Sequence, residues 1–327
     1  MKLLNKLVRC FSTVILLKFC TIVYLLIFSL AALATQTDTV SSRVYLEHVI
    51  DAETSQSFKG VFSYNRPGYN VESFVHQQVS EDGQVTQWVK KVNTNEGFLR
   101  LNGQVKCVTK GYKSRFRANT ILQSIAKSDI DGLLEDYNIT VSPDDLTIGG
   151  RAAHELIFTA KDGDRYVYKL AFDKLTSFPL QFVFLDANNN ILESGQFSQF
   201  TPVAAGEVSV TPLNDCINVA YKEIKSNKSP WVIDWKPNGF GLERVINKAN
   251  SKDDHLVYSD GLVTFSVFIE PVTDPRMAEI ERHFGATIVV SRKVTVKDDK
   301  NSQYLITVVG EIPLSTAERI ALSAHLQ

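Results

Sequence analysis

Two rhythms of apolar and polar positions run through this chain. The first is helical. Tyr45, Val49 and Ala52 share one side of a predicted helix over 43–53, Leu46 and Ile50 widen the stripe, and Ser42 stands at the N-cap position. From Phe58 the period becomes two, predicting strands at 60–64, 71–80, 85–92, 98–101 and 104–108. Arg66-Pro67-Gly68, Glu81-Asp82-Gly83, Glu96-Gly97 and Asn102-Gly103 punctuate them, and such close spacing predicts an antiparallel meander. Helical pieces over 119–137 follow, then strands at 138–141, 153–160, 166–172, 180–185 and 191–200. Tyr166, Tyr168, Leu170 and Phe172 share one face, as do Leu180, Phe182 and Phe184, yet the opposite face still carries Val167, Val183 and Leu185. A sheet apolar on both sides needs cover on both. A strongly curved sheet or partial barrel is therefore predicted, with the helical pieces inside it or across its mouth.

After Phe200 the rhythm fades into a stretch containing Pro202, Gly206, Pro212 and Asn214, with a short helix predicted near Tyr221. Pro230-Trp231 opens a second domain. Its centre is a hairpin over 255–270, in which Ser259-Asp260-Gly261 makes the bend and Val263, Phe265, Val267 and Ile269 face one way. A charged segment at 276–283, strands at 287–296 and 304–311, and a helix announced by Pro313 complete it. Ser315 and Glu318 have capping-box spacing there, and Ile320, Ala321 and Ala324 form the stripe. The fold class is α+β in two domains: a curved antiparallel half-barrel over 35–203, a linker over 204–229, and a smaller α+β domain over 230–327.

Composition changes this picture mainly at the N-terminus. Lys2, Lys6, Arg9 and Lys18 precede or interrupt an apolar run that ends in Ala32-Leu33-Ala34, a small-x-small cleavage pattern. Residues 1–34 read as a secretory signal peptide, with an uncleaved anchor as the alternative. Without that segment 31 Lys and Arg face 36 Asp and Glu, a formal charge of −5, which argues against a nucleic-acid surface. Cys10 and Cys20 leave with the signal. Cys107 and Cys216 then either form a disulfide in an oxidising compartment or lie as two buried thiols.

Candidate chemistry is thin. No Gly-rich phosphate loop, nucleophile elbow or paired metal-binding histidines occur, so neither an enzyme nor a metal or cofactor site is read. Asp186-Ala187-Asn188-Asn189-Asn190 begins like a calcium loop but has Ile191 where Gly is needed, and reads as a hairpin turn. Tyr166, Tyr168, Phe182 and Phe184 are either core or the wall of an apolar ligand cavity. Trp231 and Trp235 either anchor a partner or fill the small domain's core.

The second domain resembles the C-terminal domain of the RseB/MucB family, periplasmic negative regulators of the envelope-stress sigma factor. The matching residues are Trp235 with Pro237, Gly239-Phe240, Leu256 through Leu262 with Phe265-Ser266-Val267, and Ile306 through Pro313 with Arg319-Ile320-Ala321. The N-terminal half matches through Gly150-Arg151-Ala152-Ala153, Asp162-Gly163 with Arg165-Tyr166 and Tyr168, and Ile191 through Phe197. Asn95-Glu96-Gly97 departs from the family's Asp-Gly-Pro turn, and 276–286 matches weakly. The resemblance implies a lipoprotein-carrier-like N-terminal domain. It also implies a partner, the periplasmic region of a membrane-anchored anti-sigma factor, which the chain shields from proteolysis until lipopolysaccharide or lipoprotein acyl chains release it. Trp231, Trp235, Tyr258 and Phe268 become the candidate partner-binding residues, and Tyr166, Tyr168, Phe182 and Phe184 the candidate lipid site. Nucleic acid is not a partner in this reading, and a homo-oligomer is left open. The alternative is a periplasmic lipid or lipoprotein carrier or sensor acting through the N-terminal cavity alone.

Overall fold

A computed structural model describes residues 42–112, 129–204, 216–219, 228–247, 253–296 and 302–327. The expected signal segment 1–34, the helical pieces over 119–128 and the helix near Tyr221 lie outside the described residues. Helix α1 (42–55) opens the described chain, and Leu46, Val49 and Ala52 are its buried stripe. Ser42 is the first described residue of the helix and donates its hydroxyl to the Ile139 carbonyl at 2.7 Å, which ties the helix to the sheet.

The meander follows as β1 (Phe58–Arg66), β2 (Tyr69–Val79), β3 (Val85–Lys91), β4 (Gly97–Leu101) and β5 (Gln104–Thr109). Helix α2 (Ile130–Asp136) leads into β6 (Tyr137–Val141), β7 (Leu146–Ile148), β8 (Arg151–Ala160), β9 (Val167–Asp173), β10 (Pro179–Leu185) and β11 (Ile191–Pro202). They form one 12-stranded sheet in which β1 pairs with β11 and joins the two meanders. The twelfth strand, β12 (Cys216–Asn218), adds to the edge at β5. A linker was expected there; instead this piece is sheet, held by a Cys107–Cys216 disulfide. Register shifts at Val61/Phe62, Leu99/Arg100 and Phe184/Leu185 are bulges, which bend strands and give the sheet its curvature. The interior is aromatic: Phe58 lies 4.6 Å from Phe178, 5.5 Å from Phe197 and 5.1 Å from Phe200 between ring centroids. Gly195 leaves room for it, because a Cβ there would stand 2.4 Å from the Phe182 ring and 2.5 Å from Phe62.

The second unit has β13 (Trp231–Ile233), β14 (Gly241–Asn247), β15 (Asp254–Ser259), β16 (Thr264–Pro271), β17 (Glu281–Phe284), β18 (Thr287–Thr295), β19 (Gln303–Gly310), helix α3 (Leu314–Leu322) and β20 (Ala324–Leu326). Six of the strands make a sheet in the order β14-β15-β16-β19-β18-β17, while β13 pairs with β20. Leu256, Val267, Val308 and Val290 stand opposite one another across four strands and are essentially fully buried. Ile320 and Ala321 of α3 are buried with them. The Ser315–Glu318 capping box does not form. Pro313 is the N-cap, no side chain caps it, and Glu318 pairs with Arg292 of β18. The charged segment at 276–283 contributes the exposed edge strand β17, where alternation gave no signal because no face is buried.

Candidate functional site

The 255–270 hairpin carries its most consequential residue in its turn. One carboxylate oxygen of Asp260, Oδ1, accepts the backbone N–H groups of Leu262 at 2.9 Å and Val263 at 2.8 Å, and Gly261 takes φ +92. The other oxygen, Oδ2, points at the large sheet. It accepts the Tyr137 hydroxyl at 2.6 Å and pairs with Arg165 Nε at 2.9 Å. Both charged side chains are sealed, at 2% and 0% exposure, so the pair works away from water's screening.

Arg165 is presented by the turn between β8 and β9. Asp162 Oδ1 accepts the Asp164 N–H at 3.0 Å, Gly163 adopts φ +74, and Asp162 Oδ2 pairs with Arg165 at 2.7 Å. The guanidinium lies 5.1 Å from the Tyr137 ring and 5.0 Å from the Phe240 ring, one from each domain, and donates to the Asn238 carbonyl. Thr316 of α3 donates to the Asp164 carbonyl at 2.9 Å. Gly239, at φ +79, passes so close to Asp136 that a Cβ would fall 1.7 Å from its carboxylate. Burial raises the Tyr137 hydroxyl well above its ordinary pKa, with Asp260 adding to it, so it stays a donor. Burial also raises Asp136, against the pull of Arg165.

A cleft of about 730 Å³ opens beside this clasp, lined among others by Asp129, Glu135, Asp136, Asp162, Lys161 and Asp260. A second contact lies at the ends of β1 and β11. Glu193 accepts the Ala286 N–H at 3.3 Å, and Arg66 donates to the Phe284 carbonyl at 3.4 Å while facing the Tyr69 ring at 5.0 Å.

The residues singled out from sequence are not gathered on one surface. Trp231 is buried on β13, edge-on to Tyr304 at 4.8 Å. Trp235 is half-buried beneath the Arg319 guanidinium, 3.7 Å from its ring. Tyr258 is buried and stacks on Phe265 at 5.0 Å, whereas Phe268 lies on the opposite face, half-buried and stacked on His255 at 4.1 Å. Tyr168, Phe182 and Phe184 are buried in the large sheet's interior, where the Phe184 ring lies 5.3 Å from Tyr168 and 6.2 Å from Phe182. Among the described residues the Tyr168 hydroxyl has no hydrogen-bond partner. Tyr166 is half-buried, and burial followed by the charges of Asp186 and Glu311 pushes it up to about 12. Sequence reasoning passed over Arg165, Asp260 and Tyr137 as functional residues. The signal was present, since Arg165 and Asp260 belong to motifs that carry the family resemblance in the two domains.

Fold and junction together define the class: a two-domain α+β protein whose large curved sheet holds a smaller sheet-and-helix domain through a buried charged clasp. Residues 41–215 match the model of the MucB/RseB N-terminal domain and residues 225–325 that of the MucB/RseB C-terminal domain. The chain belongs to the MucB/RseB family. It is 31% identical over 311 residues to a Pseudomonas aeruginosa protein named sigma factor AlgU regulatory protein MucB, covering 93% of this chain and 96% of that relative. It also resembles a crystal structure of MucB in complex with MucA(peri), at TM-score 0.72 and 29% identity over 86% of this chain and 98% of that one. Against a structure described as MucB, with no partner named, the TM-score is 0.63 at 29% identity, over 88% and 98%.

Proposed function

We propose that this chain is a sigma-factor regulatory protein of the periplasm, which binds the periplasmic region of a membrane-anchored anti-sigma factor and represses the envelope-stress response by shielding that partner from proteolysis. The observation that carries this reading is the likeness, over 86% of this chain, to MucB solved with MucA(peri). Family membership across both domains supports it, and so does the secretory character of residues 1–34. The mechanism is occlusion: a binding equilibrium with no bond chemistry, shifted by any ligand that prefers the unbound regulator.

The releasing signal in this reading is a lipid or lipopolysaccharide acting through the large sheet. Tyr168, Phe182 and Phe184 fill the interior with one another, so an acyl chain has to move these rings to enter. The Tyr168 hydroxyl supplies a polar group there for a ligand to satisfy. Trp235 and Phe268, each partly exposed, are the better candidates for partner contact, while Trp231 and Tyr258 act through packing.

Deleting the gene and measuring envelope-stress transcription tests the reading. Output rises if the chain represses through an anti-sigma factor. Unchanged output, together with no capture of the anti-sigma factor's periplasmic segment by the full chain, sinks it. Lipid retained by a chain that captures no anti-sigma factor would favour the carrier alternative.

A further inference from the structure

The two motifs that identify the halves of this chain meet. Asp162-Gly163 with Arg165 in one domain and Ser259-Asp260-Gly261 in the other are separated by about a hundred residues of sequence, yet they close on a shared carboxylate oxygen that Tyr137 also engages. Each turn spends its spare hydrogen-bonding capacity on holding its charged residue. Asp162 braces Arg165, and the N–H groups of Leu262 and Val263 fix Asp260. Neither charge has water to fall back on, so opening the junction leaves a charge to be resolvated and removing one partner leaves the other stranded. The backbone is adapted to the same contact, since Gly239 is the residue that lets Phe240 and the Asn238 carbonyl come down over Asp136 and Arg165.

We propose that Arg165, Asp260 and Tyr137 are positioning residues for partner binding: a clasp that fixes the two domains in the one relative arrangement in which they present a continuous surface to the anti-sigma factor. The inference rests on the functional reading above for the identity of the partner, but not for the clasp itself. The TM-score is 0.72 to MucB with MucA(peri) and 0.63 to the structure described as MucB, at equal identity. A buried ion pair suits such a role better than apolar contact does, because it rewards one orientation and penalises the rest.

The test uses the full mature chain with spin labels at two exposed positions, Leu175 in the large domain and Leu322 on α3, each replaced by cysteine. Asp260→Asn keeps an oxygen for the Leu262 and Val263 N–H groups while removing the charge. Loss of one member of a buried pair shifts a closed-to-open equilibrium by roughly two orders of magnitude. The label-to-label distance distribution should therefore broaden, and affinity for the periplasmic segment of the anti-sigma factor should fall by about tenfold or more. Tyr137→Phe, which deletes one hydroxyl, gives the same changes more weakly and serves if Asp260→Asn fails to fold. An unchanged distance distribution in both single variants overturns the clasp, and so does a broadened distribution with unaltered affinity. A wild-type chain that binds no anti-sigma segment instead overturns the functional reading, and the distance distributions still decide whether the clasp exists.

Discussion

The interior of the large sheet and the junction between the domains are both buried, and they are held by opposite means. In the interior Phe58, Phe178, Phe197 and Phe200 pack ring against ring, with Phe178 and Phe200 stacked at 4.8 Å and Phe58 and Phe197 edge-on at 5.5 Å. Such contacts are many, individually weak and indifferent to small rotations. At the junction few groups touch, and they are polar or charged: a carboxylate oxygen that accepts a phenol's hydrogen bond and faces a guanidinium at 2.9 Å, and that guanidinium set between two rings. Packing makes a domain cohere. Directional charge makes two coherent domains choose an orientation, at little net gain in stability. The comparison predicts that damage to each region is read out differently.

The largest effect falls on the interior's covalent edge. The Cys107–Cys216 bridge spans a sequence separation of 109 and fastens β12 to β5. A loop of that size is worth about 4.7 kcal/mol in the chain-entropy model, and native disulfides of small secreted domains typically contribute about 2–5 kcal/mol. Replacing Cys107 by Ser is expected to lower the large domain's unfolding transition by that order and leave the small domain's transition in place, as followed by calorimetry. An equal fall in both transitions would mean that the bridge supports the junction and not the sheet.

Next comes Phe58→Ala, which removes a ring touching Phe178, Phe197 and Phe200. Deleting a buried phenylalanine costs about 3–5 kcal/mol. Denaturant unfolding of the large domain should show that loss, while the distance between labels in the two domains stays as in the wild type. Clasp variants should do the reverse, spreading the distance and sparing each domain's own transition. If Phe58→Ala also spreads the distance, packing and orientation are not separable and the contrast drawn above fails.

How far the sequence carried depends on which of these two kinds of force was at work. Strands of the large sheet were legible nearly residue for residue: 85–92 was expected and Val85–Lys91 is found, 180–185 was expected and Pro179–Leu185 is found. Burial writes itself into a period of two, and the turns at Gly83, Gly103 and Gly163 need their positive φ. Strands that bury little were missed, among them β12, where exposed Ile217 carries no pattern, and β17, exposed along its length. Local polar signals misled for a related reason. Glu318 was given to a helix cap, but Arg292 takes it from a distant part of the chain, and the Ser42 hydroxyl donates to the Ile139 carbonyl. The clasp lay furthest from view, because Arg165 and Asp260 look like ordinary turn residues until the fold brings them together. Resemblance marked both motifs without saying that they touch.

The smallest expected effect concerns two histidines, one in each domain. His76 on β2 packs against Trp88 at 5.2 Å, and His255 on β15 stacks on Phe268 at 4.1 Å. Both have lowered pKa values, burial being the larger cause in each case and a nearby cation, Lys59 or Arg244, the smaller. A folded pKa below the unfolded value of about 6.5 means that the unfolded chain binds more protons in the window between the two. Their stabilising contribution is therefore complete above about pH 6.5 and is lost as pH falls toward the folded pKa. Each ring keeps part of its surface in water, which holds the effect small. The small domain's transition should consequently drop slightly on acidification, and His255→Gln should flatten that dependence, while His76→Gln flattens the large domain's only in part, because burial also lowers His154 there. Neither ring touches the clasp, so the label-to-label distance should stay constant across the same pH range. A distance that widened on acidification would move the origin of the pH dependence from these rings to the carboxylates of the junction.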